Sequence, residues 1–501
     1  MLMVANKKQQ IKNSFIYLLP VITNTVLPII TLPIFTRILT KEDYGVLALV
    51  QIYAIFLNGL ANFGLTSTYN RNYFQYHDDS KKTAQLLFST LLFVILNFFA
   101  FALLSYHFKG ALAKLIVGDA QHGNILFFAF CAQFLSSISS YYYAYFKNSE
   151  MAKDYVVYTI AGSLINVFLS LFMVSYLRTG VIGLIYSSLF TGTIIFGVMS
   201  YKFVTRLKFS FNKSILFESL KLSYPLTPII FFGIINTQFD KYMIGLMATL
   251  GGVGIYSLAQ KVATVTFLFM TSLQNVFSPQ VYKKMFDLKE VGGLTIGKYL
   301  TPFLYVSTAC ALLVALFSEE IIYVLMPVSY HGATDIVIIF SMYYGILFFG
   351  KITPMQLMFK KKTHICTIFS IVSIGLNIAL NIPFIMKWGA LGAAWATFLA
   401  GLISGSIYFA VSQYYYEIKW EYKKVGLIYL ILFASSISMV LLRNPDVEYT
   451  IRLMVKCTSI TLYIYLGVLI RVITVENYNI VKNILPFRGN MLFQRKKNRT
   501  L

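Results

Sequence analysis

The chain is short of charge. Only 12 % of its 501 residues are Asp, Glu, Lys or Arg, against roughly 25 % in an ordinary soluble domain. With 57 % apolar residues, a soluble fold of this length would expose more apolar surface than one core covers. That excludes a soluble enzyme, a disordered scaffold and a fibrous repeat. Cysteine is scarce: Cys131, Cys310, Cys366 and Cys457 each lie in an apolar run without paired spacing and read as inert thiols. The five histidines fall in loops or at run ends and form no metal constellation. No phosphate-binding loop and no Ser-His-Asp pattern is present. The acidic pairs Glu42-Asp43 and Glu319-Glu320 are sequence neighbours at run ends, where solvated charge is the plain account.

What is abundant is aromatic and apolar: 44 Phe and 36 Tyr, a composition suited to lipid-facing helices with interfacial tyrosine belts. A bilayer core of about 30 Å takes roughly 20 apolar residues per helix. Fourteen such runs occur, near 14–36, 45–67, 85–106, 124–146, 155–176, 181–201, 223–247, 252–274, 299–318, 336–359, 365–386, 390–413, 425–442 and 449–470. The sequence therefore predicts an all-α integral membrane protein of about fourteen transmembrane helices. The basic start, with Lys7, Lys8 and Lys12, leads into a run too long for a cleaved signal peptide and without a small-residue cleavage site.

The net charge is +23. In a soluble protein such an excess suggests nucleic acid; here the basic residues sit in short loops between apolar runs, so no nucleic-acid partner is expected. With a cytoplasmic N-terminus, 30 of the 42 Lys and Arg fall on the inner side and 7 on the outer, and five lie within runs. That bias predicts that both termini are cytoplasmic and that the number of spans is even.

An internal repeat is visible at an offset of 209 residues. Tyr44-Gly45 through Gln51 aligns with Val253-Gly254 through Gln260, Gly180 to Gly183 with Gly389 to Gly392, Tyr186 with Trp395, and Gly192 with Gly401. The offset covers six spans, so the halves share one orientation, a layout that places a substrate path between them. The expected domains are an N-lobe at 1–209, a C-lobe at 210–418, and a third part at 419–501 holding spans thirteen and fourteen and a basic cytoplasmic tail.

Four short stretches carry a family likeness: Thr31-Leu-Pro33, Arg37-Ile-Leu39, Glu42-Asp-Tyr-Gly45 and Asn62-Phe-Gly64. Asp240-Lys-Tyr-Met-Ile-Gly245 and Gly254-Ile-Tyr256 repeat the theme. With them, the chain resembles the polysaccharide flippases, the O-antigen and capsule exporters of the multidrug/oligosaccharidyl-lipid/polysaccharide exporter superfamily. The resemblance implies two six-helix lobes around a central cavity that opens alternately to each side, plus two extra C-terminal helices. It implies an isoprenoid pyrophosphate-linked oligosaccharide as cargo, membrane lipids and a polysaccharide polymerase as partners, and the bacterial inner membrane as location. No enzyme activity and no cofactor is expected, while a coupling ion, H+ or Na+, stays open. The alternatives are a membrane polysaccharide polymerase or ligase, and an ion-coupled drug exporter of the same superfamily. The external gaps at 107–123 and 319–335 are short for a catalytic pocket, and no acidic residue lies deep in a first-lobe span, as a drug exporter would want.

Polar residues within apolar runs are the site candidates. Asp240 is the one carboxylate deep in a run, and Lys261 lies in the next. Counted from the outer helix ends they sit roughly 10 and 13 Å deep at 1.5 Å per residue. They read either as a cationic patch for pyrophosphate, with Asp240 tuning Lys261, or as an ion pair locking two helices. Asn236 shares the Asp240 face, whereas Lys241 lies about 100° away. Lys351, three residues before Pro354, suggests a gating kink or a second cation. Arg37 reads as a phosphate ligand or an interfacial anchor. Asn24, Asn58 and Asn62 are candidates for sugar hydroxyls or for interhelical bonds. Arg452 and Lys456 are expected to snorkel to the outer surface, and Tyr141, Tyr142, Tyr143 and Tyr145 to form an interfacial belt.

Overall fold

The computed structural model describes residues 19–20, 23–206 without 77, 210–443 and 447–472. Lys7, Lys8, Lys12, Lys208 and the expected basic tail lie outside the described residues. The described chain is helical and holds no strand. In order, α1 is Leu32–Ile38, α2 Lys41–Asn62, α3 Leu65–Gln75, α4 Ser80–His107 and α5 Lys109–Ile116. Then come α6 Gly123–Asn148, α7 Ala152–Leu171, α8 Val181–Arg206, α9 Lys213–Ser223 and α10 Thr227–Met247. The remainder is α11 Leu250–Leu316, α12 Ser318–Leu325, α13 Ala333–Phe359, α14 Thr363–Tyr415, α15 Tyr422–Leu441 and α16 Tyr449–Leu469.

Ten of the described helices are long and apolar enough to cross a bilayer. Two of them are double. The 67 residues of α11 would reach about 100 Å at 1.5 Å per residue, and Lys289 breaks the helix at φ 48°, ψ −127°. Gly389 breaks the 53-residue α14 at φ 56°, ψ −132°. Dividing both gives twelve crossings, and α10 matches a further expected run, 223–247. The first expected run, 14–36, lies partly outside the described residues. Large side chains such as Leu103, Phe168 and Met454 face outward, an apolar exterior that water would not tolerate. The chain is a multi-pass membrane protein.

Local chemistry sets the breaks. Thr40 Oγ1 accepts from the Asp43 amide at 3.1 Å, and Asp43 Oδ2 accepts from the Thr40 amide at 2.9 Å, a reciprocal cap that starts α2. The expected run 45–67 is two helices, because Phe63 and Gly64 take left-handed φ of 51° and 72°. Glycine makes such a turn cheap. Conversely, Lys351 and Pro354 do not interrupt α13, which runs unbroken through both.

The element order recurs at the sequence offset. Both α5 and α12 have eight residues and start 209 apart, each followed by a 3-10 turn, at Ala120–His122 and Val328–Tyr330. Then α6 and α13 end at left-handed residues, Glu150 (φ 57°) and Lys361 (φ 58°). Gly180 and Gly389, equivalent by the offset, both have positive φ, 67° and 56°, and each precedes a helix that begins at the next residue.

Packing divides the chain into two compact units. The first comprises Met1–Leu258, Ile321–Ala333 and Asn381–Ala393; the second Ala259–Glu320, Thr334–Leu380 and Ala394–Leu501. The lobe limits at 209 and 418 come from the repeat, a different criterion. Within the first unit Phe98 stacks on Phe134 at 3.5 Å between ring centroids. Tyr141 and Tyr142 are buried there, in the core and not in a belt. In the second unit Phe277 packs between Phe303 and Phe348 at 5.6 and 5.5 Å.

The second unit also corrects the expectation for Arg452, Lys456 and the Glu319-Glu320 pair. Lys456 is fully buried and Glu319 nearly so. Arg452 Nη2 lies 3.2 Å from Glu319 Oε1, Lys456 Nζ lies 3.5 Å from Glu319 Oε2, and Lys456 also pairs with Glu320. The Tyr449 hydroxyl donates to Glu320 Oε1 at 2.8 Å. Arg443, just past α15, donates to Asp335 Oδ1 at 2.7 Å. Three cations, two on α16 and one just past α15, thus meet three carboxylates at the starts of α12 and α13. The carboxylates also sit where the helix dipole favours negative charge. Snorkelling fails as an account because the partners are at hand inside.

Candidate functional site

Helices α2 and α10 flank a cleft of about 310 Å³ lined by Ile55, Asn58, Gly59, Asn62, Gly64, Thr66, Ser67, Ile230 and Ile234. The cleft and the contacts around it lie within the first unit; Lys261 and Lys351 belong to the second. Asn58 and Asn62 reach it because i and i+4 share a helix face. Thr66 and Ser67 reach it because the left-handed turn at Phe63–Gly64 redirects the chain into α3. Close approach of α10 depends on Gly59, where a Cβ would come within 3.2 Å of Ile234 Cδ1.

The two asparagines play different parts. Asn62 Nδ2 donates to Thr66 Oγ1 at 2.8 Å and to Ser137 Oγ at 3.3 Å. Its Oδ1 accepts from the Tyr141 hydroxyl at 2.7 Å and from the Thr66 amide at 3.3 Å. Asn62 is therefore fixed. Asn58 Oδ1 is buried and has no hydrogen-bond partner among the described residues, which is uncommon for a buried carboxamide.

Where α2 and α11 meet, the contact is reciprocal. A Cβ on Gly45 would sit 2.0 Å from Leu250 O, and one on Gly254 would sit 2.0 Å from Lys41 O. Gly45 and Gly254 are equivalent by the repeat, and so are Lys41 and Leu250. A contact in which i touches j′ and i′ touches j is the mark of a local two-fold relation. Nearby, Tyr330 donates to Leu39 O at 2.6 Å and Thr36 to Leu325 O at 3.1 Å. Tyr44 and Tyr330 pack edge to face at 6.0 Å. Every one of these groups lies at the end of the helices expected to be outside.

Asp240 is buried and is joined to Tyr256, two residues past Gly254. Its Oδ2 accepts from the Tyr256 hydroxyl at 2.7 Å and its Oδ1 from Asn381 Nδ2 at 2.7 Å. An ion pair with Lys261 is one expectation; the two hydrogen bonds above come from neutral groups, and Lys261 has no ion pair among the described residues. The other candidates do not converge either. Lys241 donates to Gln238 on its own helix at 3.0 Å. Arg37 is exposed and donates to Pro33 O, one turn back, at 2.7 Å. Lys351, in the second unit, lies over the Phe267 ring at 4.8 Å. Asn24 accepts from Ser163, and Asn236 is exposed.

The sequence scan for ionisable residues passed over Thr66, Ser67, Ser137 and Asn381, all neutral. Tyr256 was quoted only as part of a motif. Its spacing from Asp240 gave no sign that the two motif segments meet through one hydrogen bond. Among the described residues no group of three His, Cys, Asp or Glu could hold a metal ion.

Comparison with known proteins places this architecture. A structure titled lipid II flippase MurJ, inward closed conformation, matches with TM-score 0.64 at 18 % identity, covering 86 % of this chain and 97 % of that one. A point mutant of the Vibrio cholerae MATE transporter VcmN matches with TM-score 0.56 at 13 % identity, covering 81 % and 96 %. At such identities these likenesses speak to fold. A probable low-salt glycan biosynthesis flippase, Agl15 of Haloferax volcanii, is 23 % identical over 196 residues, 39 % of this chain. The chain spans about two-fifths of that relative, 41 %. The profile of the family described as polysaccharide biosynthesis protein matches residues 11–281. That is just over half of the chain, and the protein belongs to the polysaccharide biosynthesis protein family.

Proposed function

We propose that the protein is a flippase that carries an isoprenoid pyrophosphate-linked oligosaccharide across the bacterial inner membrane by alternating access. The cargo is the repeat unit of a surface glycan such as O-antigen or capsule, and both termini of the chain are cytoplasmic. Crossing unaided would drag every sugar hydroxyl through hydrocarbon, where each unsatisfied polar group costs several kcal/mol. The observation that carries the reading is the cleft among membrane helices, whose Asn58, Asn62, Thr66 and Ser67 offer amides and hydroxyls. Family membership, and the name of the Haloferax volcanii relative as a probable glycan biosynthesis flippase, support it.

The reciprocal glycine contact supplies the outer gate of such a cycle. Packed helix ends close the path on one side, and the repeat makes their separation a symmetric motion. Asp240 is the group for a coupling ion, H+ or Na+, since it is a buried carboxylate among membrane helices. The protein performs no covalent chemistry in this cycle, and a polysaccharide polymerase consumes what it delivers. Deletion of the gene tests the reading. The surface glycan should vanish and lipid-linked repeat units accumulate on the cytoplasmic side with glycosyltransferases active. Single units exported but never extended would make the protein a polymerase instead.

A further inference from the structure

We propose that the cleft between α2 and α10 receives an uncharged sugar of the cargo and discriminates against acidic ones. The inference rests on the flippase reading and goes beyond it by naming the sugar class.

None of the described residues lining the cleft is ionisable. Its polar groups are two carboxamides and two hydroxyls, each able to donate and to accept. That set matches hexose hydroxyls and acetamido groups. It offers a carboxylate no countercharge, and an ionised carboxylate moved out of water without a partner carries a penalty far above that of a hydroxyl. Its size, about 310 Å³, lies at the low end of small-molecule sites, which run from about 300 to 1,000 Å³. It is a site for a sugar, not for the whole glycan.

The polar and apolar walls divide the work. Ile55, Ile230 and Ile234 present an aliphatic surface to the C–H face of a pyranose, while Asn58 and the Thr66 and Ser67 hydroxyls meet its rim. Asn62 is tied on both sides of its carboxamide, so it holds the wall rigid. Asn58 keeps an acceptor without a partner among the described residues, and a sugar hydroxyl or amide N–H is the group that would satisfy it after a small rotation. The cations Lys241 and Arg37 are not among the lining residues and bond to groups on their own helices, Gln238 and Pro33 O.

The test uses the full-length chain in proteoliposomes with two polyprenyl pyrophosphate-linked oligosaccharides of equal length. One contains only hexose and N-acetylhexosamine; in the other a hexuronic acid replaces one hexose. The pyrophosphate is common to both, so the ratio of rates isolates the sugar. The neutral probe should cross at least about ten-fold faster, the equivalent of 1.4 kcal/mol. Ser67 is exposed at the rim, so Ser67→Lys should narrow that ratio and Ser67→Asp widen it. Equal rates, or a preference for the acidic probe, would overturn the neutral-sugar inference and leave the flippase reading standing. Turnover of neither probe by folded protein would overturn the flippase reading and this inference with it.

Discussion

The cleft of the first unit and the ionic cluster of the second both place polar groups among apolar helices, with opposite chemistry. The cluster sets three cations, Arg443, Arg452 and Lys456, against Asp335, Glu319 and Glu320. The cleft has amides and hydroxyls and no ionisable lining residue among those described. Buried full charges must be paired permanently, since separating them leaves each uncompensated. Neutral hydrogen-bonding groups cost less to uncover and exchange partners readily. The difference teaches that charge is used here where helices must stay together, at the attachment of α15 and α16, and that the cleft proposed for the cargo is lined by neutral groups instead.

The largest expected effect comes from breaking the cluster. Lys456→Ala removes the fully buried cation between Glu319 and Glu320, leaving only Arg452 to balance the two, and loss of one partner of a buried pair costs about 3–5 kcal/mol. Folded yield and thermal midpoint in detergent should fall sharply, and neutralising both acids in the same chain (Glu319→Gln with Glu320→Gln) should recover much of the loss. A Lys456→Ala protein as stable as wild type would remove the basis of the comparison.

Next is the glycine contact. Gly254→Val and Gly45→Val each put a side chain where a backbone carbonyl lies 2.0 Å from the added Cβ. Transport should be lost in both. Because the contact is reciprocal, the two variants should be lost to a similar degree, and a large disparity between them would break the two-fold relation.

Smaller effects separate the two asparagines. Asn62→Ala removes hydrogen bonds to Tyr141, Thr66 and Ser137 at once and should cost about 1–3 kcal/mol of stability. Asn58→Ala removes an acceptor that has no partner among the described residues and should stay within about 0.5 kcal/mol of wild type, while lowering the transport rate. Equal destabilisation by both would contradict the division between a fixed wall and an available group.

The smallest effect lies outside the spans, on α9. Hydrogen bonds from Tyr76 and Gln75 hold the Glu218 carboxyl below its usual range, and burial with the Glu218 bond pushes Tyr76 up to about 12. A lowered carboxyl pKa adds stability above the unfolded-state value, and that stability disappears as the pH falls through the folded-state value. Glu218 is exposed, so the contribution is slight. The thermal midpoint of wild type should drop slightly more between pH 7 and pH 4 than that of Glu218→Gln; identical drops would dismiss it.

Much of the fold was legible because the bilayer imposes a length on each apolar run. Every expected run with described residues coincides with helix, and the offset of 209 reappears in the paired breaks at Gly180 and Gly389. The break at Phe63–Gly64 was not legible, since the apolar run continues across it without proline. The site was legible only in part. Asn58, Asn62 and Asp240 were named because polar residues in apolar runs stand out. Their partners Thr66, Ser137, Tyr256 and Asn381 come from distant or neutral positions that single-residue cost does not flag. The cations named as a patch are not brought together by the contacts of the structure. Counting Lys and Arg by depth says nothing of whether each turns to its own helix, as Arg37 and Lys241 do, or to acids at another helix start, as Arg452 and Lys456 do.

The central claim is movement of a lipid-linked glycan between leaflets. The direct measurement reconstitutes the full chain into vesicles carrying a fluorescent polyprenyl pyrophosphate-linked neutral oligosaccharide in both leaflets, then adds an impermeant quencher. The account predicts that nearly all the fluorescence becomes quenchable with wild-type protein. With folded Gly254→Val protein only the outer-leaflet half should be quenched. Quenching that halts at one half with folded wild-type protein, under an imposed H+ or Na+ gradient as well as without one, would contradict it.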